Sequence, residues 1–260
     1  MIFNLINKLR SRYILRNNPI RQELWESTIS KLPLINQLSA KELQKLKKLT
    51  TLFLHEKTLT GVKGFELDDE KRLIIAVQAC LPILNLDMSH YEGWIEVVVY
   101  PDTFVVYRNF TDNFGLVHDT SSALSGEAWS RGPVILAWSD VERDSFTPRP
   151  GHNVIIHEFS HKLDMLNGRA NGMPPLHPNM HRQEWTDSLS NAYDILLRQI
   201  ENQQHSPINE YAATNPAEFF SVISEYFFTA PNILQQFCSV VYEQLSLYYK
   251  QNPIQTHSSL

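Results

Sequence analysis

The stretch Val154-Ile155-Ile156-His157-Glu158-Phe159-Ser160-His161-Lys162-Leu163-Asp164 decides how this chain is read. His157 and His161 are four residues apart, which on a 3.6-residue helix puts their imidazoles about 40° apart on one face, one turn above the other. Two histidines grip a single Zn²⁺ with that spacing. Glu158 lies about 100° round from His157. That is too far for a ligand at the same point, but it suits a group that takes a proton from a water at the metal. Its expected role is catalytic base, then acid. Ile155, Ile156, Phe159 and Leu163 make the remaining faces apolar, so the helix should be buried with its histidines turned into a cleft. Asp164, on the histidine stripe, is expected to accept an N–H from a ligating imidazole or a neighbouring group; the competing reading is a turn residue bonded to local backbone. The longer pattern H-E-x-x-H-x-x-G-x-x-H would need Gly at 164 and His at 167. Asp164 and Asn167 stand there, which excludes it.

A third protein ligand then has to come from elsewhere, and Glu184, His177, His181, Glu210, Glu218 and Glu225 are the candidates. Glu218 fits best. Asn215-Pro216 begins its helix, with Asn suited to the N-cap and Pro to the first turn. The helix continues through Phe219-Phe220, Val222-Ile223 and Tyr226-Phe227-Phe228. A carboxylate on so apolar a helix needs a partner, because an unpaired buried charge is costly. Glu225, seven residues on, falls on the same polar line as Glu218 and Ser221, and that line could instead face water. Glu184 is the rival, although Arg182, Gln183 and Asp187 around it describe a solvated face.

The rest of the chain frames this site. From Gln22 to Leu49 the pattern is helical and broken near Pro33, with Ser39 as an N-cap. Asp68 and Asp69 open a helix expected to run from Glu70 to Leu86. Ile95 to Tyr100 and Phe104 to Tyr107 read as strands flanking the turn Pro101-Asp102, and Val134 to Trp138 as a further strand that Pro133 marks as a start or an edge. An extended peptide could add to such an edge. Helices follow from Asn153 onward. Strands before and helices after give an α+β fold with a small mixed or antiparallel sheet, an active-site helix and a helical C-terminal half.

With 260 residues, 43% of them hydrophobic, and no linker, repeat or low-complexity run, the chain can bury one core. The expected division is a helical extension at 1–50 packed on the core, a catalytic core at 51–250 and a disordered tail at 251–260. The net charge of −5 provides no basic footprint for nucleic acid. Cys80 and Cys238 cannot make a disulfide framework, and a reducing compartment fits. Met1 to Asn18 lacks the apolar region and cleavage site of an export signal, and no stretch is long enough to span a membrane.

Tyr211-Ala212-Ala213-Thr214-Asn215-Pro216-Ala217-Glu218-Phe219-Phe220, together with His157 to Asp164, resembles the Mlc titration factor A family of zinc peptidases. It is also distantly similar to the catalytic domain of anthrax lethal factor. The first resemblance extends through Gly61 to Glu66, Ala79-Cys80-Leu81, Gly93-Trp94 and Pro133 to Trp138, and so covers most of the chain from about Gln22 to Lys250. It implies a gluzincin-like fold with one zinc ion per chain held by His157, His161 and Glu218. Glu158 would be the catalytic base and Tyr211 the stabiliser of the transition state, since a phenol can donate to a developing oxyanion. The lethal-factor pattern has an acidic residue four after the ligand. Here that place is Val222, and Glu225, one turn later, is the expected substitute. The resemblance further implies a cytoplasmic peptidase, with aminopeptidase action as one form of it, that binds the glucose-responsive repressor Mlc and so touches sugar phosphotransferase regulation. The competing function is a regulatory protein that titrates a transcriptional repressor and has weak or latent peptidase activity.

Overall fold

The computed structural model describes residues 2–102, 104–111, 117–124, 126–128 and 132–257, with backbone alone at 2–7, 104–111, 117–124, 126–128 and 256–257. Helices α1 (Ile2–Asn17), α2 (Gln22–Ile29) and α3 (Ala40–Glu56) come first. Ser39 caps α3 in a reciprocal box with Glu42, each satisfying the other's backbone N–H. Six of the 17 residues of α3 are buried, including Leu46, Leu49 and Phe53, and α1 packs against it with Ile14 buried.

Strand β1 (Thr58–Gly61) follows, then α4 (Asp69–Cys80), capped by Asp68, then β2 (Glu96–Tyr100). Helix α4 stops at Cys80 and not at Leu86, because Pro82 has no N–H to give the Gln78 carbonyl. Strand β2 does not form a hairpin across Pro101-Asp102. It lies parallel to β1, Thr58 opposite Glu96, and parallel to β6 (Val134–Ala137), Val97 opposite Val134. Between them in sequence, β3 (Phe104–Thr111) and β4 (Val117–Leu124) pair with each other in a separate antiparallel ribbon, and β5 (Gly126–Ala128) pairs antiparallel to β6. The main sheet is therefore mixed, in the order β1-β2-β6-β5, with three parallel strands.

This corrects the reading of Val134 to Trp138 as an edge. Strand β6 has a neighbour on each side and ends at Ala137. Its unbroken apolar run suits an inner strand, and Pro133 stands before it, where a missing N–H costs nothing. Trp138 instead opens α5 (Trp138–Phe146).

The C-terminal half is helical: α6 (Val154–Asp164), α7 (Arg182–Glu201), α8 (Pro216–Thr229), α9 (Pro231–Phe237), α10 (Ser239–Tyr249) and α11 (Pro253–His257). The last of these replaces the expected disordered tail. Ile254 N–H bonds the Tyr242 hydroxyl and Gln251 Nε2 bonds the Leu81 carbonyl, while 258–260 lie outside the described residues. Behind α6, the rings of Phe53, Tyr91, Trp94 and Phe159 meet at centroid separations of 5.2 to 6.4 Å. Phe159 is fully buried there, which fixes the rotation of α6 and leaves His157 and His161 facing α8. Both cysteines are free thiols, and among the described residues no helix is long and apolar enough to cross a membrane.

Candidate metal centre

Helix α6 starts on Asn153, whose Oδ1 accepts Ile156 N–H at 3.0 Å. Its first turn is held further by Asp144 Oδ2, which accepts Val154 N–H at 3.1 Å. Helix α8 starts on Asn215, whose Oδ1 accepts from Ala217 N and Glu218 N at 2.9 and 3.0 Å, with Pro216 in the first turn. Two well-anchored helix starts thus set the positions of the candidate ligands. His157 Nε2 and His161 Nε2 are 3.2 Å apart, and Glu218 Oε2 lies 3.0 Å from the first and 3.3 Å from the second. Three ligands bound tetrahedrally at roughly 2.0–2.1 Å would be separated by roughly 3.3 Å. The His157, His161 and Glu218 donor atoms therefore fit a single small ion, and they form the one such group found among the described residues.

Of the other candidates, Glu184, His181 and Glu210 are exposed, and His177 Nε2 is spent on the Tyr248 carbonyl at 2.7 Å. Glu225 comes to His157 from behind: its Oε1 accepts the Nδ1–H at 2.9 Å while its Oε2 takes Asn153 N–H at 2.5 Å. This bond keeps the proton on Nδ1 and leaves Nε2 free to donate its lone pair. Val222 is buried and apolar, and Glu225 one turn later does reach the imidazole. Asp164 does not contact a ligating ring. Its Oδ2 takes the backbone N–H groups of Asn171 and Gly172 at 2.8 and 2.7 Å, the local-backbone alternative, because the chain folds back over the end of α6.

The charges at the centre are strongly coupled. Burial works to neutralise His157, but the hydrogen bonds that its ring donates to Glu218 and Glu225 outweigh it and raise its pKa well above the ordinary value. Burial also opposes ionisation of Glu218, yet the hydrogen bonds from His157 and His161 hold its carboxyl far below the usual range. Glu158 differs from both. It is 3% exposed, and burial, opposed by His157 and reinforced by Glu218 and Glu225, pushes its carboxyl up to about 8. Its Oε2 is buried without a hydrogen-bond partner among the described residues, a costly arrangement for a polar atom that fits a catalytic role. Tyr211 stands at the rim, 48% exposed, its ring 6.0 Å from that of His157. Burial and the Glu218 charge push its phenol up to about 12, so it is a hydrogen-bond donor at neutral pH.

Sequence reasoning passed over Asn153 and Gln78, which back the site. The signal for Asn153 was present, a capping residue directly before an apolar helical run. For Gln78 it was a single amide inside an apolar helix.

Ligands from two helices around an open point, beside a buried carboxyl with a free oxygen, make a metal-dependent hydrolase the class that this geometry describes. The model of the glucose-regulated metallo-peptidase M90 family matches residues 6–250, and the chain belongs to that family. It is 40% identical to proteins named Mlc titration factor A from Escherichia fergusonii and Cronobacter sakazakii, in each case over 233 residues, 88% of this chain and 86% of the relative. A third, from Salmonella choleraesuis, is 40% identical over 234 residues, 89% of this chain and 87% of its own.

Proposed function

We propose that the protein is a zinc-dependent peptidase that hydrolyses peptide bonds, with His157, His161 and Glu218 as ligands of one zinc ion. The observation that carries the reading is the Nε2–Nε2–Oε2 triangle next to the unpartnered Glu158 oxygen. What zinc supplies when bound is Lewis acidity, which acidifies water and polarises a carbonyl.

The chain's own residues do the rest. Glu158 takes the proton of the attacking water and hands it to the leaving amine, a shuttle suited to a buried carboxyl beside the ligand set. Tyr211 donates its O–H to the oxyanion as the carbonyl becomes tetrahedral. Glu225 keeps His157 in the tautomer that presents Nε2. Since β6 is enclosed, the extended substrate is assigned to the outer edge of β5, which packs near α6.

The test is metal content and cleavage of a mixed peptide library by wild type, Glu158→Gln and Glu218→Ala. Stoichiometric zinc that is lost in Glu218→Ala, with cleavage abolished in Glu158→Gln while zinc stays, supports the reading. Full zinc-dependent cleavage by Glu158→Gln would sink it. Products trimmed only from amino ends would make the enzyme an aminopeptidase.

The relatives' name, Mlc titration factor A, supports a second element, binding of Mlc, which the family resemblance makes a transcriptional repressor. If titration of a repressor is the main function, Glu158→Gln will bind Mlc and relieve repression as well as wild type does. A peptidase-dependent role requires that relief to disappear.

A further inference from the structure

Behind the metal centre, one chain of polar groups reaches His157 from a helix that contributes nothing to the site itself, and its interpretation rests on the zinc reading above. Gln78 is 1% exposed in the middle of α4, beside the fully buried Val77 and Ala79. An amide in such surroundings is costly unless both of its ends are bonded, and both are. Its Nε2 donates to Ser145 Oγ on α5 at 2.8 Å, and its Oε1 accepts from Asn153 Nδ2 at 2.8 Å.

The direction of every bond is forced from the start of α6. Ile156 N–H needs an acceptor, so Asn153 turns Oδ1 toward it and Nδ2 away. Nδ2 then needs an acceptor, so Gln78 presents Oε1, and its Nε2 is left for Ser145 and, at 3.3 Å, the Ile74 carbonyl. Asn153 N–H goes to Glu225 Oε2 at 2.5 Å, and Glu225 Oε1 takes His157 Nδ1–H at 2.9 Å. Ser145, Gln78, Asn153, Glu225 and His157 are thereby joined in sequence with no alternative polarity. Packing alone would be satisfied by Leu or Met at 78; the amide is required only by the residue that starts the active-site helix.

We propose that Gln78 is a positioning residue of the metal centre, holding Asn153, and through it the Glu225 carboxylate and the His157 ring, in the orientation that aims Nε2 at the ion. It touches neither metal nor substrate. Removing its carbonyl leaves Asn153 Nδ2 buried and unpaired, and Asn153 then shifts the backbone N–H on which Glu225 rests.

The experiment is a competitive zinc titration of wild type, Gln78→Leu, Gln78→Met, Gln78→Glu, Ser145→Ala and Val77→Ala, with thermal unfolding of each metal-free protein and the NMR signal of His157 Nδ1–H in each zinc-loaded one. Outer partners of metal ligands contribute about 10- to 100-fold in affinity, so Gln78→Leu, two steps beyond Glu225, should weaken zinc binding by roughly tenfold at most and broaden the Nδ1–H signal. Gln78→Glu keeps an oxygen toward Asn153 Nδ2 while the Ser145 hydroxyl turns to donate, so it should recover most of that loss. Val77→Ala, on the same helix but outside the chain of bonds, should lower stability and leave zinc affinity unchanged. Wild-type affinity in Gln78→Leu would overturn the proposal, as would an equal loss in Val77→Ala. Ser145→Ala, which leaves Gln78 Nε2 on the Ile74 carbonyl, should cost little; should Gln78→Leu fail to fold, Gln78→Met decides, and unchanged zinc affinity there overturns the proposal as well. A wild type that binds no zinc refutes the proposed function itself.

Discussion

Glu225 Oε1 accepts the Nδ1–H of His157 at 2.9 Å from a helix that starts at Pro216, 59 residues beyond His157. The bond sets both the tautomer and the ring angle of the ligand. Glu225→Ala is therefore expected to weaken zinc binding about 10- to 100-fold, with the fold retained, as read by chelator competition and circular dichroism. Glu225→Gln should lose less, because its amide oxygen can still accept. Equal affinity of Glu225→Ala and wild type would remove this carboxylate from the account.

Tyr211→Phe separates binding from chemistry. The phenol sits half-exposed at the rim beside the Glu218 side chain, to which it is hydrogen-bonded, and Phe keeps the ring's packing, so stability and zinc content should change little. One lost oxyanion donor typically costs about 10²- to 10³-fold in kcat. Steady-state kinetics should show that loss in kcat with KM little altered.

Gly172 holds a conformation that other residues resist. Its φ is +76°, and a Cβ there would stand 2.6 Å from the Pro216 carbonyl oxygen in the first turn of α8. Its N–H is bonded to Asp164 and its carbonyl to Trp185 Nε1 at 3.0 Å, so the loop cannot retreat freely. Gly172→Ala should cost about 1–3 kcal/mol in urea unfolding and, by pushing on the turn that carries Glu218, should also weaken zinc binding.

Lys57 gives the pH dependence of stability a definite sign. Its Nζ lies 4.0 Å above the Trp94 ring and donates to the carbonyls of Tyr91 and Trp94, and burial brings its pKa down to about 8 from 10.5. Between those values the unfolded chain holds a proton that the folded chain has released, so this group's contribution to stability rises with pH. Wild type should gain on Lys57→Met as denaturation is repeated from pH 8 to pH 10; a difference that is flat or falls would contradict the burial argument.

The two ligand helices were legible because their information is local. His157, Glu158 and His161 fall within five residues, and Asn215-Pro216 announces the start of α8. Glu218 could be singled out because a carboxylate among phenylalanines needs a reason. The sheet was less legible, since parallel pairing joins residues such as Thr58 and Glu96 that no short-range pattern connects. Strand β1 is four residues long and alternates too briefly to be read. Pro101-Asp102 carries a turn signal and does turn the chain, but whether the flanking strands pair is decided by β1 and β6, not by the turn. Asp164 was misjudged for a related reason: its partners at Asn171 and Gly172 depend on how the following loop folds back.

His161 and Glu218 are separated by 57 positions, and all of α7 lies between them. An ion gripping both closes that interval into a ring, a rivet through the middle of the C-terminal half. Ring closure costs a flexible chain entropy that grows only slowly with length, so a single small ion can restrain a long excursion. Loss of metal would then release more than a reagent. Scarcity of metal is then expected to lower the protein's resistance to proteases as well as its turnover.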